Sequence, residues 1–585
     1  MGALLVLAAG ALAAAAFLLR PRGALTLLVG VVVLVPGSLP VPGAPGVLTV
    51  HRLVLAAALA GLVRRCRRHE LPWSVFRPPA LVWRFAAVIG VLAVLGVGLL
   101  QPATNASAAA RNWQALALQL PFLLTWLALL RACDDVLVGV SALVLATAAS
   151  AGIGLLEAAT GSSYARLWFH AVPALLTSDQ AQVLATRGGH VRVRAAADFT
   201  LAFAWVTAAV LPLLLVLAAL RRRAAPVLVG IALPVVAVAV VLTYSRSVVL
   251  PLLLVVVVLA AVLQHRGVRA AAGLLAVSAL VVLVVDPSLA GQFTAAADRG
   301  SIDVRVDRLP VVGALAAQHP WTGLGISGLT SQGITVTDTS YLLTYAEVGV
   351  LGLAALVGLL LSTVGECVMG MRSGVRAERL TALGAGAGVV LLLVGTFTFD
   401  AFSVPAVAEV FWLLAALGLV AQDGLAPARV LSLRWRAALV GLAALVGVGL
   451  RLSAPSHVAQ TWQYETLRPY PATVAAATYT GTELRATFCA LAREAASPRP
   501  VVCQATGDAP GQGLLRLEAP DSAALKATRD HVLQVAAGAR QLSRLELMPR
   551  GPEQRGTATG LRTAPGWLPL LALVLLLPVP GRRRR

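Results

Sequence analysis

Charge is scarce in this 585-residue chain: only 12% of it is Asp, Glu, Lys or Arg, and a single lysine, Lys526, stands among 47 basic residues. An ordinary soluble domain carries about a quarter charged residues, so that class is excluded. The near-absence of lysine reads as coding bias towards arginine rather than as function. Standard catalytic signatures are missing as well. There is no glycine loop for phosphate, no HExxH, no CxxC pair and no GxSxG. The formal charge of +21 would suit nucleic acid, but the arginines fall in short clusters between apolar runs, not on an amphipathic or aromatic-interleaved surface. That pattern follows the positive-inside rule and argues against nucleic-acid binding.

What is present is apolar length. Hydrophobic residues make up 58% of the chain and the mean hydropathy is +0.83. Runs long enough to cross a bilayer core, roughly 20 residues each, recur along most of it. Arginine clusters place cytoplasmic segments at residues 20–22, 64–77, 131–135, 221–223, 265–269, 365–379, 422–436 and 582–585. Joining them through the apolar runs predicts about fifteen spans by the length criterion, N-terminus outside and C-terminus inside. The first run lacks a following polar segment or cleavage site and is expected to be a span, not a removed signal peptide. The fold expected is therefore mostly α: a polytopic transmembrane helical bundle over 1–453, with long external loops at 161–198 and 286–340. An external domain over 454–565 follows, then a final span and arginine tail over 566–585.

The cysteines divide along the same lines. Cys66, Cys133 and Cys367 fall in or beside predicted cytoplasmic loops, where thiols stay reduced; Cys489 and Cys503 share the last external segment, where a disulfide would persist. The alternative is a pair of buried thiols. That segment reads as a strand at 472–479, a Thr-capped helix at 482–496, strands at 500–505 and 514–518 around the turn 507–511, a helix from Asp521 to about 540, and a strand at 541–548. The order β-α-β-β-α-β is a ferredoxin-like α+β arrangement. With no cluster of catalytic residue types, its expected role is interaction. Apolar runs at 437–450 and 567–578 tie both its ends to the membrane.

Ionisable residues at membrane edges carry the functional argument, because placing them there costs several kcal/mol unless they are paired or functional. Arg246 lies in the short hydroxyl-rich turn Thr243-Tyr244-Ser245-Arg246-Ser247, on the side where positive charge is disfavoured; the bland alternative is a snorkelling helix end. Arg192 and Arg194 stand outside, just before a span, where a solvated strand edge is the competing reading. Arg305 and Arg308 lead into the amphipathic run 309–318, which an ordinary charged helix start would also explain. Guanidinium groups grip phosphate bidentately and stay charged, so several converging on one external cavity would suit a diphosphate head group at the lipid boundary.

A last feature is His319-Pro320-Trp321-Thr322-Gly323-Leu324-Gly325, followed by Asp338-Thr339-Ser340-Tyr341-Leu342 and Glu347-Val348-Gly349-Val350-Leu351-Gly352. An arginine, then (H)P-x-(T)G-x-G, a variable loop, a polar pair, YL and E-x-G-x-x-G resembles the bacterial O-antigen ligase and polymerase family. Tyr244-Ser245-Arg246 resembles that family's preceding motif, and Phe399-Asp400-Ala401-Phe402 with Phe411-Trp412 its late spans. The resemblance runs from about Arg192 to Trp412.

The resemblance implies a metal-independent, inverting GT-C-type glycosyltransferase, without cofactor, acting on glycans carried by undecaprenyl diphosphate at the outer face of the cytoplasmic membrane. It assigns the diphosphate to Arg194, Arg246 and Arg305, with Arg192 and Arg308 as further candidates, and supporting roles to Tyr244, Tyr341, Glu347 and Asp400. Ligases of the family have a His-Asn pair where this chain has Asp338-Thr339. Asp338 is then the expected base, with His319 the alternative, and the departure favours polymerase over ligase. The external domain resembles the membrane-proximal part of polysaccharide chain-length determinants by architecture alone, which adds a chain-length regulator as an expected partner or fused function. A transporter or flippase of lipid-linked glycans is the alternative from another class. It would usually show internal repeats and midplane charges, and neither is found. A structural scaffold would explain the C-terminus but not the external arginines.

Overall fold

The structure, a computed structural model, describes residues 2–42, 48–76, 117–133, 135–164, 186–187, 190–220, 225–285, 312, 320, 323–326, 328–331, 339–422, 456–466, 502–506, 512–519, 530, 545–549 and 554–557. Its helices coincide with the apolar runs. They are α1 (Gly2–Leu18), α2 (Pro21–Leu34), α3 (Val50–Arg67), α4 (Gln119–Ala132), α5 (Val136–Thr160) and α6 (Thr200–Ala219). Then come α7 (Ala225–Val241), α8 (Arg246–Leu263), α9 (Arg266–Val285), α10 (Ser340–Gly370), α11 (Arg376–Gly395) and α12 (Pro405–Val420). Start signals sit where the sequence puts them. Pro21 and Pro405 open α2 and α12 at the first turn, where the missing N–H has no partner to lose. The Thr49 side chain caps α3, and Asp135 caps α5 by accepting from Leu137 N at 3.0 Å.

Five of the described helical segments are long and apolar enough to cross a membrane: Val136–Thr160, Thr200–Ala219, Arg246–Leu263, Gly352–Gly370 and Arg376–Gly395. Shorter apolar helices accompany them, among them Pro21–Leu34, Leu228–Val241 and Pro405–Val420. The chain is thus a mostly helical, multi-pass membrane protein. The fifteen-span count includes runs at 78–100, 437–450 and 567–578, which lie outside the described residues.

Burial orders the bundle. Helix α6 is the central element, buried on every face from Ala202 to Leu217. Helix α11 lies against it so closely that a β-carbon on Gly388 would stand 2.3 Å from Ala209 O. Small residues at such crossings let backbones approach where water supplies no hydrophobic drive. Helix α8 is peripheral, with Leu250, Leu254, Val257 and Val262 about two-thirds exposed, a surface suited to lipid and not to water.

Polar contacts concentrate at the two ends of this bundle. At one end Arg65 donates to Leu18 O and Leu19 O at 2.8 and 3.0 Å, and Arg376 to Ala219 O at 3.3 Å. These are the ends the arginine clusters assign to the cytoplasm, and Cys66, Cys133 and Cys367 are buried thiols there. The opposite end carries the groups described below.

Past the bundle, strands β3 (Ser456–Thr466), β4 (Val502–Thr506), β5 (Gln512–Ala519), β6 (Leu545–Pro549) and β7 (Gln554–Thr557) form one antiparallel sheet in the order β4-β5-β3-β6, with β7 also on β3. Three of the expected strands reappear, shifted by a few residues, around the expected 507–511 turn. The expected first strand, 472–479, lies outside the described residues; Ser456–Thr466 is the strand between β5 and β6. Its sequence SHVAQTWQYET mixes polar and apolar residues on both strand parities, so alternation could not find it. The expected helices and Cys489 lie outside the described residues.

Candidate active site

Before α6 the chain makes a short hairpin, β1 (Thr186–Arg187) with β2 (His190–Val191), and then a turn at 194–198. Three hydrogen bonds lay this stretch on the connection between α7 and α8. The Arg192 guanidinium donates to Thr243 O at 3.0 Å and to Ser245 Oγ at 3.1 Å. Beside it, Val193 N donates to Leu242 O at 3.4 Å. The connection itself is sharp: buried Tyr244 takes φ +52°, a left-handed backbone that costs a non-glycine residue roughly 1–2 kcal/mol. Strain of that kind persists where the surroundings impose it. It turns the chain so that Arg246 opens α8 one residue beyond Ser245. Arg192, Arg194 and Arg246 therefore sit on two segments held side by side, and the Arg192 side chain fastens them.

Arg194 is 4% exposed. Its Nε and Nη2 donate to Ser163 Oγ at 3.1 and 2.8 Å. Burial pushes its pKa below the ordinary arginine value, opposed by the nearby Glu157 and Asp198 carboxylates; a guanidinium remains charged regardless. Glu157, buried near the end of α5, accepts from the backbone N–H groups of Tyr164 (2.7 Å), Arg194 (3.0 Å) and Ala195 (2.7 Å).

A second cluster surrounds the start of α10. Ser340 N and Thr339 Oγ1 donate to Thr396 O at 2.9 and 3.1 Å. Ser340 Oγ donates to Asp400 Oδ1 at 3.0 Å and accepts from Ala401 N at 2.9 Å. Tyr341 donates to Leu393 O at 3.3 Å, its ring 4.3 Å from that of Phe397. Asp400 and Tyr341 thus fix the start of the helix that follows Asp338. Phe399 joins the two clusters, stacking on Trp205 at 6.5 Å and meeting Phe199 edge-on at 6.1 Å.

The Pro320–Gly325 stretch explains its own motif. Helix α10 breaks at Gly349, at φ 74° and ψ −168°. The break diverts Val350 N from Ala346 O, its partner in an unbroken helix. Instead Val350 N donates to Pro320 O, Ala346 O accepts from Leu324 N and Glu347 O accepts from Gly325 N, all at 2.8 Å. A broken helix at membrane depth needs such substitutes, because lipid offers none. The glycine motif and E-x-G are two halves of one backbone joint. Val312, four residues beyond Arg308 in the sequence, is buried with Leu324, Leu329 and Ala346 at the same joint.

Asp338, His319, Arg305 and Arg308 lie outside the described residues. Among those that are described, no three His, Cys, Asp or Glu side chains group in a way that could hold a metal ion. Residues that sequence reading did not single out are Glu157, Ser163, Asp198, Ser38, His51 and Glu409. His51 Nε2 donates to Val35 O at 3.0 Å, and its Nδ1 lies 2.6 Å from Glu409 Oε2, with both side chains at most 1% exposed. A carbonyl can only accept, so Nε2 carries its proton. One further proton is then shared between Nδ1 and the carboxylate. Asp198 Oδ1 accepts from Ser38 N and Oγ at 3.3 and 2.5 Å. A signal existed: Glu157 and Glu409 are single acids inside apolar runs, which membrane energetics marks as paired or functional.

A multi-pass membrane protein thus gathers arginines, hydroxyls and carboxylates at one end of its bundle. Residues 230–357 match the family model described as O-antigen ligase, so that segment is similar to the O-antigen ligase family. The matched segment holds Tyr244, Arg246, Arg305, Asp338, Tyr341 and Glu347; Arg194 and Asp400 fall beyond it. No curated protein matches the chain.

Proposed function

We propose that this chain is an inverting, metal-independent glycosyltransferase that polymerises undecaprenyl-diphosphate-linked repeat units on the outer face of the bacterial cytoplasmic membrane. The observation that carries the reading is the pairing of the Arg192–Arg194 stretch with the Tyr244–Arg246 turn at the bundle end that also holds the Ser340–Asp400 contact. In this reading Arg194, Arg246 and Arg305 hold the diphosphate of the growing chain. Charge builds on the bridging oxygen as the anomeric bond breaks, and preorganised guanidinium groups stabilise it most where water is excluded. Asp338 takes the proton of the acceptor hydroxyl as that oxygen bonds to the anomeric carbon from the opposite face. The lipid diphosphate leaves with the electron pair.

The sheet after the bundle is read as an external ferredoxin-like domain. Numbered within the domain, its strand order is 2-3-1-4 with every neighbour antiparallel, the order that a split β-α-β supports. Chain-length control is the role proposed for it.

Ligation is the second reading, favoured by the description of the matched family. A deletion strain separates the two. Loss of long chains with single repeat units still transferred supports polymerisation; accumulation of full-length lipid-linked polymer supports ligation. Repeat units trapped on the inner leaflet would instead indicate a flippase.

A further inference from the structure

The turn that carries Arg194 is gripped at both ends by carboxylates. At its start, one oxygen of Glu157 accepts two successive backbone N–H groups, those of Arg194 and Ala195, while the other accepts Tyr164 N. One buried side chain thus ties the loop bearing Ser163 to the turn bearing Arg194, and Ser163 Oγ receives the guanidinium at 2.8 Å. Ala197 N closes the turn on Arg194 O at 3.0 Å.

At its far end, Asp198 holds Ser38 through both the backbone N–H and the hydroxyl. Ser38 is not a loose anchor. The chain leaves α2 past Val35, whose carbonyl receives His51 Nε2, and a β-carbon on Gly37 would lie 2.9 Å from Pro405 Cβ at the start of α12. The far end of the turn is therefore referred to α2, α3 and α12, and the near end to α5. Charge-assisted bonds from backbone N–H to carboxylate are about twice as strong as neutral ones.

We propose that Glu157 and Asp198, with Ser38 as the latter's partner, are positioning residues that preset Arg194 for an anionic diphosphate. This rests on the reading of Arg194 as a diphosphate ligand. An arginine already fixed in its bound orientation loses less freedom when the ligand arrives, so the gain appears in affinity. A carboxylate that only stabilised the fold would change melting temperature whether or not Arg194 were present. A positioning carboxylate acts through Arg194 and loses its effect on binding once Arg194 is gone.

The experiment uses the full-length protein in lipid nanodiscs, with undecaprenyl diphosphate as the probe. Affinity and melting temperature are measured for wild type, Glu157→Gln, Ser38→Ala, Arg194→Ala and the two double variants with Arg194→Ala. Glu70→Gln, at the opposite end of the bundle, is the control. Glu157→Gln and Ser38→Ala are each expected to weaken binding tenfold or more, and each double variant to bind no worse than Arg194→Ala alone. Wild-type affinity in both single variants, or losses that multiply in the double variants, overturns the proposal. If Glu157→Gln does not fold, Ser38→Ala decides by the same criteria. Wild-type affinity in Arg194→Ala overturns instead the assignment of Arg194 to the diphosphate, a result distinct from failure of the clamp.

Discussion

Gly323 lies against the backbone of Glu347: a β-carbon on Gly323 would stand 2.3 Å from the Glu347 carbonyl carbon and 2.4 Å from Val348 N. The neighbour is backbone and cannot swing aside, and Gly323 has φ +68° besides. Gly323→Ala is expected to lower the melting temperature in detergent and to abolish activity; the left-handed backbone alone costs about 1–2 kcal/mol. Gly358→Ala, with open space around its β-carbon, serves as the control and leaves both unchanged. Equal melting of the two variants would sink the backbone-joint account of the motif.

The His51–Glu409 pair is sealed from solvent and bridges α3 to α12. Removing one partner strands the other in an apolar site, a loss of about 3–5 kcal/mol for buried pairs. His51→Ala is expected to destabilise the protein strongly in thermal unfolding. Replacing both residues together by leucine should be milder than His51→Ala, because no uncompensated polar group of the pair remains. A double variant as unstable as the sum of the singles would contradict this.

Arg246→Lys is expected to be nearly as damaging to polymer production as Arg246→Ala. Lysine keeps the charge but loses the planar fork that engages two phosphate oxygens at once. A lysine variant with near-wild-type chain synthesis would mean that Arg246 supplies only charge.

Asp338→Asn is expected to abolish turnover while leaving undecaprenyl-diphosphate-linked substrate bound, since the amide keeps the shape and cannot take a proton. Persistent polymer in that variant would transfer the base role to His319, the next candidate in the motif.

Sidedness is open to chemical labelling. Cysteine at position 331, and cysteines within 454–565, are expected to react with an impermeant reagent in intact cells, and cysteine at 374 only after permeabilisation. Cys66, Cys133 and Cys367 are buried and should stay silent. Labelling of position 374 from outside would invert the topology. A disulfide between Cys489 and Cys503 should block both thiols until reduction, closing a loop worth around 3 kcal/mol in the chain-entropy model.

The helices were legible along the chain because a bilayer imposes a one-dimensional rule. A helix must satisfy its own backbone groups and present about 20 apolar residues, and each start carries a local signal such as Pro405 or Asp135. Arg246 and the Pro320–Gly352 motif were legible for the same reason, being polar or glycine-rich interruptions of apolar sequence. What sequence alone could not supply is partnership at a distance. His51 and Glu409 are 358 residues apart, Ser38 and Asp198 160, and Arg194 and Glu157 37. No periodicity links such positions. They meet where the ends of α2, α3, α5 and α12 come together at one rim of the bundle. There a buried donor or acceptor must find a partner, and only the packed helices determine which one is within reach.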